Sequence, residues 1–227
     1  MESQNVGVSH DVAAVERLSV VPAILEIICR TTGMGFAVVA RVTPEQWVAC
    51  SVRDEIKFGL VPGGELKLDT TICHEIRQSG IAVIIDHVEK DPVFAYHHTP
   101  AMYGFQSYIS VPVIRKDGSF FGTLCAIDPR PSILNTPEII GMFNAYADLI
   151  SFYLNAAEQY TEEEIKTLET WVAPELHAHL AILKEINSNR QAEARSFNNR
   201  SSHFVQLITD ATQRVNKLLI NLKQQTP

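Results

Sequence analysis

The chain has 227 residues, of which 46 % are hydrophobic and 20 % charged, with a formal net charge of −7 at pH 7. That balance is the norm for soluble globular proteins and leaves room for one ordinary domain with an appendage, or two small ones. Residues 160–227 carry eight Lys and Arg against eight Asp and Glu, so the acidic excess, eleven against eighteen, sits in the first 159 and argues against nucleic acid or an anionic membrane as a partner.

Apolar residues at helical spacing (Val15, Leu18, Val21, Leu25, Ile28) predict a helix over 11–32, stopped by Gly33 and Gly35. Two β-rich runs, 36–42 and 47–52, flank the turn-like Thr43-Pro44-Glu45-Gln46 and predict a hairpin. A polar, Gly-containing loop over 57–69 leads to a short helix capped by Asp69 or Thr70 and ended by Gly80. Residues 81–85 read as a short strand, and a loop rich in His, Asp and Pro follows. Runs 108–114 and 119–127 then flank Asp117-Gly118, a strong hairpin signal. A helix over roughly 138–159 presents Ile139, Met142, Phe143, Tyr146, Leu149, Ile150 and Tyr153 at helical spacing. The order predicts an α+β domain, an antiparallel sheet with helices on its faces. No apolar run is long enough to span a membrane, and Met1-Glu2-Ser3-Gln4-Asn5 lacks the start of a secretory signal, so a cytoplasmic protein is expected.

Four segments stand in an order that resembles successive signatures of a GAF domain: Thr71 to Ile76, Val83 to Asp86, Asp91 to Phe94, and Gly118 to Arg130. The resemblance covers residues 10–157, sets a first domain at 1–159, and implies a sensory, ligand-binding or dimerising role. In GAF domains the small-molecule cavity lies between the sheet and the segment crossing it, here residues 87–107. The resemblance thus nominates Phe94, Tyr96, His97, Met102, Tyr103, Phe105 and Tyr108 as walls for an unidentified small molecule. The same aromatics would serve equally as core. The family's bilin cysteine position, near Thr99 to Gly104, holds no cysteine, and its cyclic-nucleotide signature is absent.

Cys29, Cys50, Cys73 and Cys125 are scattered and read as reduced, buried thiols. Cys73, near a helix start beside His74, is the one candidate for a redox or chromophore site. His74, His87, His97 and His98 cluster within 25 residues, but their spacing is too loose for a metal cage, and neither metal nor cofactor is expected. Asp86, Asp91 and Asp128 read as turn caps. No catalytic constellation is visible, and the chain is expected not to be an enzyme.

Residues 160–227 form a second unit. Ile165, Leu168, Val172, Leu176, Leu180, Leu183 and Ile186 recur at helical spacing, as do Phe204, Leu207, Ile208, Ala211, Val215, Leu218 and Leu222. Asn187-Ser188-Asn189 and the stretch Ser196 to Ser202 mark a turn between them. Ala173-Pro174-Glu175-Leu176-His177-Ala178-His179-Leu180 resembles the phosphoacceptor segment of histidine kinases, with Pro174 in the slot of the phosphorylated histidine and Glu175 beside it. Residues 210–222 resemble the second helix of that dimerisation hairpin. A hairpin stripe needs a cover, and the resemblance implies a homodimer whose four-helix bundle buries Ile165, Leu168, Val172, Leu176, Leu180, Leu183, Phe204, Leu207, Ala211, Val215, Leu218 and Leu222. Pro174 is expected to bend its helix, and His177 and His179 to sit on a solvated face. The chain thus reads as a signalling protein, a GAF sensor coupled to a degenerate kinase-type hairpin that docks a histidine kinase or response regulator. The alternatives are a phosphotransfer intermediate using His177 or His179, and a redox or chromophore sensor through Cys73.

Overall fold

A computed structural model describes residues 2–192 and 202–225. The helix expected over 11–32 is two: α1 (Glu2–Glu16) and α2 (Val20–Thr32), parted at Arg17-Leu18-Ser19. Thr71, rather than Asp69 or Thr70, precedes the short helix α3 (Ile72–Ser79), which ends at Gly80 in the left-handed region (φ 69°). Strands β1 (Phe36–Val42), β2 (Trp47–Asp54), β3 (Glu65–Leu66), β4 (Val83–Ile85), β5 (Ser107–Ile114) and β6 (Phe120–Asp128) build one sheet. Its order is β3-β2-β1-β6-β5-β4, every neighbour antiparallel. The loop between β4 and β5 carries the six-residue helix α4 (His98–Tyr103). Helix α5 (Pro137–Gln159) opens on Thr136, whose hydroxyl accepts from Ile139 N–H, with Pro137 in the first turn where its missing donor costs nothing.

Both faces of the sheet are covered, so its central strands are apolar on both sides. Ala37 and Val39 of β1 and Leu124 and Ala126 of β6 face α2 and α5. Their neighbours Phe36, Val38, Cys125 and Ile127 face a smaller core under α3 and the β4–β5 loop. Gly122 sits where β6 meets β1; a Cβ there would run into the Ala40 carbonyl. Helix α1 is tied to the sheet by Asp11, whose carboxylate accepts from Arg41 Nε (2.6 Å) and Arg115 Nη2 (2.7 Å). The two guanidiniums lie over the Phe121 ring at 5.1 and 5.0 Å.

The hairpin helices are α6 (Glu162–Ala192) and α7 (Ser202–Gln225). Asn187-Ser188-Asn189 continue α6 instead of turning, and residues 196–201 of the expected turn lie outside the described residues. Thr161 and Glu164 form a reciprocal capping box at the start of α6, Thr161 N–H donating to Glu164 Oε2 at 2.8 Å. The helix runs on through Pro174 without a break. The cover of the apolar stripe differs from expectation. α6 lies along α2 and α7 along α5 of the same chain. Val172, Leu176, Leu180, Leu183, Phe204, Val215 and Leu222 are buried in the cluster that holds the sheet face and Ala211 is buried as well, while Ile165, Leu168, Leu207 and Leu218 are half-buried and Ile208 and Leu219 are buried in their stead. The residues assigned to a second copy are thus largely occupied by α2 and α5, in a four-helix bundle within one chain. No helix among the described residues is long and apolar enough to cross a membrane.

Candidate functional site

The β2–β3 loop and the end of α4 form the two lips of a cleft of about 540 Å³, lined by Ile56, Lys57, Phe58, Gly59, Leu60, Leu66, Met102, Tyr103, Gly104 and Pro129. Its size suits a small ligand. The loop lip is shaped by Asp54, whose carboxylate accepts from the N–H groups of Ile56 (3.1 Å), Phe58 (3.0 Å) and Gly59 (2.8 Å). Burial opposes ionisation of Asp54, but these amides outweigh it and hold the carboxyl below its ordinary range. Lys57 is thereby held at φ 60°, a conformation that favours glycine. On the other lip, Tyr103 OH lies 2.6 Å from Thr70 Oγ1, joining α4 to the start of α3.

Of the seven wall residues expected, only Met102 and Tyr103 line this cleft. Tyr96 is 98 % exposed and is not part of the lining, and Phe105 and Tyr108 are buried core. Phe94 packs against that core, its ring 5.5 Å from His97. His97 accepts the Thr99 N–H at Nδ1, pairs with Glu75 at 2.9 Å and stacks on His98. His74 meets Gln78 instead. Groups of three or more His, Cys, Asp or Glu with metal-holding geometry are absent among the described residues. Asp91 and Asp128 cap local turns, Asp91 accepting from Val93 and Phe94 N–H and Asp128 from Arg130 N–H besides that of Gly35; Asp86 instead accepts from the distant Leu134 and Asn135 N–H groups and ties its loop to the segment before α5. The opposite lip, residues 56–60 and Leu66, was missed because a loop with Gly59, Gly63 and Gly64 reads as a connection; its apolar Ile56, Phe58 and Leu60 were the available signal.

Beneath the cleft, the space expected for a ligand is filled by side chains. Phe58, Leu66 and Tyr103 pack on the core that contains Cys73 and Cys125. Those two sulfurs are 3.3 Å apart, although their residues are distant in sequence. Three buried hydroxyls surround them: Ser110 Oγ at 2.9 Å from Cys125, Thr123 Oγ1 at 3.3 Å from Cys73 and 3.1 Å from Cys125, and Tyr108 OH at 3.5 Å from Cys73. The Cys125 thiol and the Thr123 and Tyr108 hydroxyls favour a Cys73 thiolate over the opposing effect of burial, so the Cys73 pKa is lowered. Burial, then the hydrogen bond to Cys73 and that neighbour's charge, push Cys125 the other way. The Trp47 indole N–H is buried beside them and makes no hydrogen bond of ordinary geometry, yet it adds a weaker pull toward the Cys73 thiolate. Cys29 and Cys50 lack such company, and burial pushes both thiols up to about 12.

In the bundle, His177 is exposed, but His179 is 2 % exposed, contrary to a solvated face. Its stripe position aims it at α5, where Nδ1 lies 3.0 Å from Tyr146 OH, while Nε2 is unpaired. Glu175 makes an ion pair with Arg214 of α7. Glu169, also buried, accepts from Ser19 Oγ (2.7 Å) and Val20 N–H (3.2 Å), so α6 caps the start of α2.

No curated protein matches this chain in sequence. Among solved structures it is similar to a cyanobacteriochrome receptor PixJ domain (12 % identity, TM-score 0.50, covering 62 % of this chain and 95 % of that one). It is likewise similar to the chromophore-binding domain of Stigmatella aurantiaca bacteriophytochrome (14 %, TM-score 0.50, 66 % and 60 %). A type II free methionine-R-sulfoxide reductase from Thermoplasma acidophilum also matches (17 %, TM-score 0.48, 62 % and 94 %). The expectation that the chain is not an enzyme is corrected on that last match, which is to a reductase. The profile of the GAF domain family matches residues 16–154, more than half of the sequence, and the chain belongs to the GAF domain family.

Proposed function

We propose that this chain is a signal-transduction protein in which the GAF domain senses an input and sets the position of a kinase-type helical hairpin that docks a two-component partner, a histidine kinase or a response regulator. The observation that carries the reading is the shared core: the hairpin's stripe is buried against α2 and α5, the helices that also cover the sheet. A shift of those helices therefore changes the surface that α6 covers. Glu169 on the start of α2 and the Glu175–Arg214 pair fix the hairpin's register. A small molecule in the cleft between Lys57 and Tyr103 would act on α3 through Thr70 and so on the sheet. Trp171 and Ile220, 52 % and 57 % exposed, are apolar residues that the bundle leaves for a partner.

The test is direct binding. Receiver domains and kinase dimerisation hairpins of the same host are immobilised and the purified chain is passed over them. Binding that weakens on Trp171→Ala or Ile220→Ala supports the reading; a full panel with no binding refutes it.

A further inference from the structure

We propose that Cys73 and Cys125 are an oxidisable thiol pair that closes to a disulfide inside the folded GAF domain when a peroxide reaches it. The first support is geometric. Their sulfurs are 3.3 Å apart, and closure to a disulfide bond of roughly 2.05 Å asks for a shift of only about 1.3 Å. Cys73 rides on α3, a short helix lying on the sheet, and Cys125 lies in β6, so that shift moves a light element against a rigid one.

The second support is the polar shell. Buried hydroxyls in an apolar core are costly unless they find partners, and a neutral thiol is a weak one. Yet Ser110, Thr123 and Tyr108 all bring hydroxyls to these two sulfurs, and the buried Trp47 N–H beside them is unpaired. Such a donor set is poorly matched to two thiols and well matched to one thiolate. The direction of the Cys73 and Cys125 shifts agrees: one sulfur is eased toward the thiolate and its neighbour is held as the thiol. Cys29 and Cys50, equally buried but without hydroxyls around them, provide the internal contrast.

The third support is access. Phe58, Leu66 and Tyr103 line the cleft with one side and pack on the thiol core with the other. The proposed route for a peroxide, little larger than water, is from this cleft past those partly buried side chains.

The steps balance. The Cys73 thiolate attacks one oxygen of hydrogen peroxide, the O–O bond breaks, and the leaving hydroxide takes a proton to become water. The Cys125 sulfur then attacks the Cys73 sulfenic acid, the S–O bond breaks, and the hydroxyl leaves as water with the Cys125 proton. Two thiols and one peroxide give one disulfide and two waters; the sulfurs lose two electrons and the peroxide gains them.

The full chain is reduced, desalted and titrated with hydrogen peroxide, then analysed by intact mass and by peptide mapping without reductant. The expected result is a folded monomeric chain lighter by two hydrogens, with the peptide of Cys73 linked to that of Cys125 and full reversal by dithiothreitol. In Cys125→Ser, Cys73 should stop at the sulfenic acid and be trapped by dimedone, whereas Cys73→Ser should trap nothing. The proposal is overturned if the wild-type chain stays folded and keeps all four thiols under peroxide, or if the linkage involves Cys29, Cys50 or a second chain. The wild-type map alone decides the matter should a variant fail to fold. It reads only the thiols, so it stands or falls separately from any docking partner.

Discussion

Lowering the pH should loosen the hairpin through one residue. His179 of α6 is buried against α5, with Tyr146 on its Nδ1 and no partner on Nε2. Burial, with Arg214 of α7 adding repulsion against a weaker pull from Glu175 of α6, holds its pKa down from 6.5 to about 4. The folded chain thus keeps the ring neutral where the unfolded chain would bind a proton. The folded state carries no penalty above pH 6.5 and loses stability as the pH falls from there toward 4. The full difference between those two values corresponds to about 3 kcal/mol, and moving from pH 7.5 to pH 5 removes about 2 kcal/mol of it. The measurement is a difference between two proteins, so that contributions common to both cancel. Urea denaturation of wild type and His179→Gln at the two pH values, with hydrogen exchange of the α6 amides, isolates the residue. Glutamine can still meet the Tyr146 hydroxyl but takes no proton, so the variant should gain about 2 kcal/mol relative to wild type on acidification. Equal loss in both proteins would refute the buried, neutral histidine.

Three further outcomes follow from the packing. Asp11→Ala strips the carboxylate shared by Arg41 and Arg115, half-buried over Phe121, and should cost about 1–3 kcal/mol in urea denaturation, less in high salt. Gly122→Ala should cost more than about 2 kcal/mol or prevent folding, because the new methyl meets the Ala40 carbonyl, whereas Gly141→Ala in α5 meets open space and should raise stability by about 0.5–1 kcal/mol; similar thermal midpoints for the two would contradict the strand contact. Glu169→Ala removes the acceptor of Ser19 and Val20 and should cost about 1–2 kcal/mol, visible as faster exchange at the start of α2; unchanged exchange there would refute the cap.

The sheet was legible, apart from β3 within the stretch read as a loop over 57–69, because its signals are local. Asp117-Gly118 fixes the β5–β6 turn, and each strand's alternation assigns its residues to one core or the other. The cleft was half legible. Met102 and Tyr103 stand in the segment that crosses the sheet, but the facing lip depends on how Asp54 folds its own loop back, a geometry that periodicity does not encode. Cys73 was singled out for its place at a helix start, whereas Cys125 became its partner only through the pairing of β6 and the docking of α3, contacts between residues far apart in sequence.

The hairpin's partner was the largest gap, and its clues were present. An amphipathic stripe demands a cover without naming it. Helix α2 named itself a candidate: Val20, Val21, Ile24, Leu25, Ile27 and Ile28 surround more than one face, which only a helix between two apolar layers tolerates. The stripe of α6 reads Glu169, Val172, Leu176, His179, Leu183, with polar residues at two of its positions. A carboxylate on a buried stripe requires donors, and a helix start supplies them. Ser19 and Val20 begin α2 without a cap from their own side chains, so Glu169 and that helix end satisfy one another. A cover made of apolar side chains alone would leave Glu169 without donors, whereas α2 offers an N–H and a hydroxyl. The two polar interruptions, more than the leucines, select the intramolecular bundle.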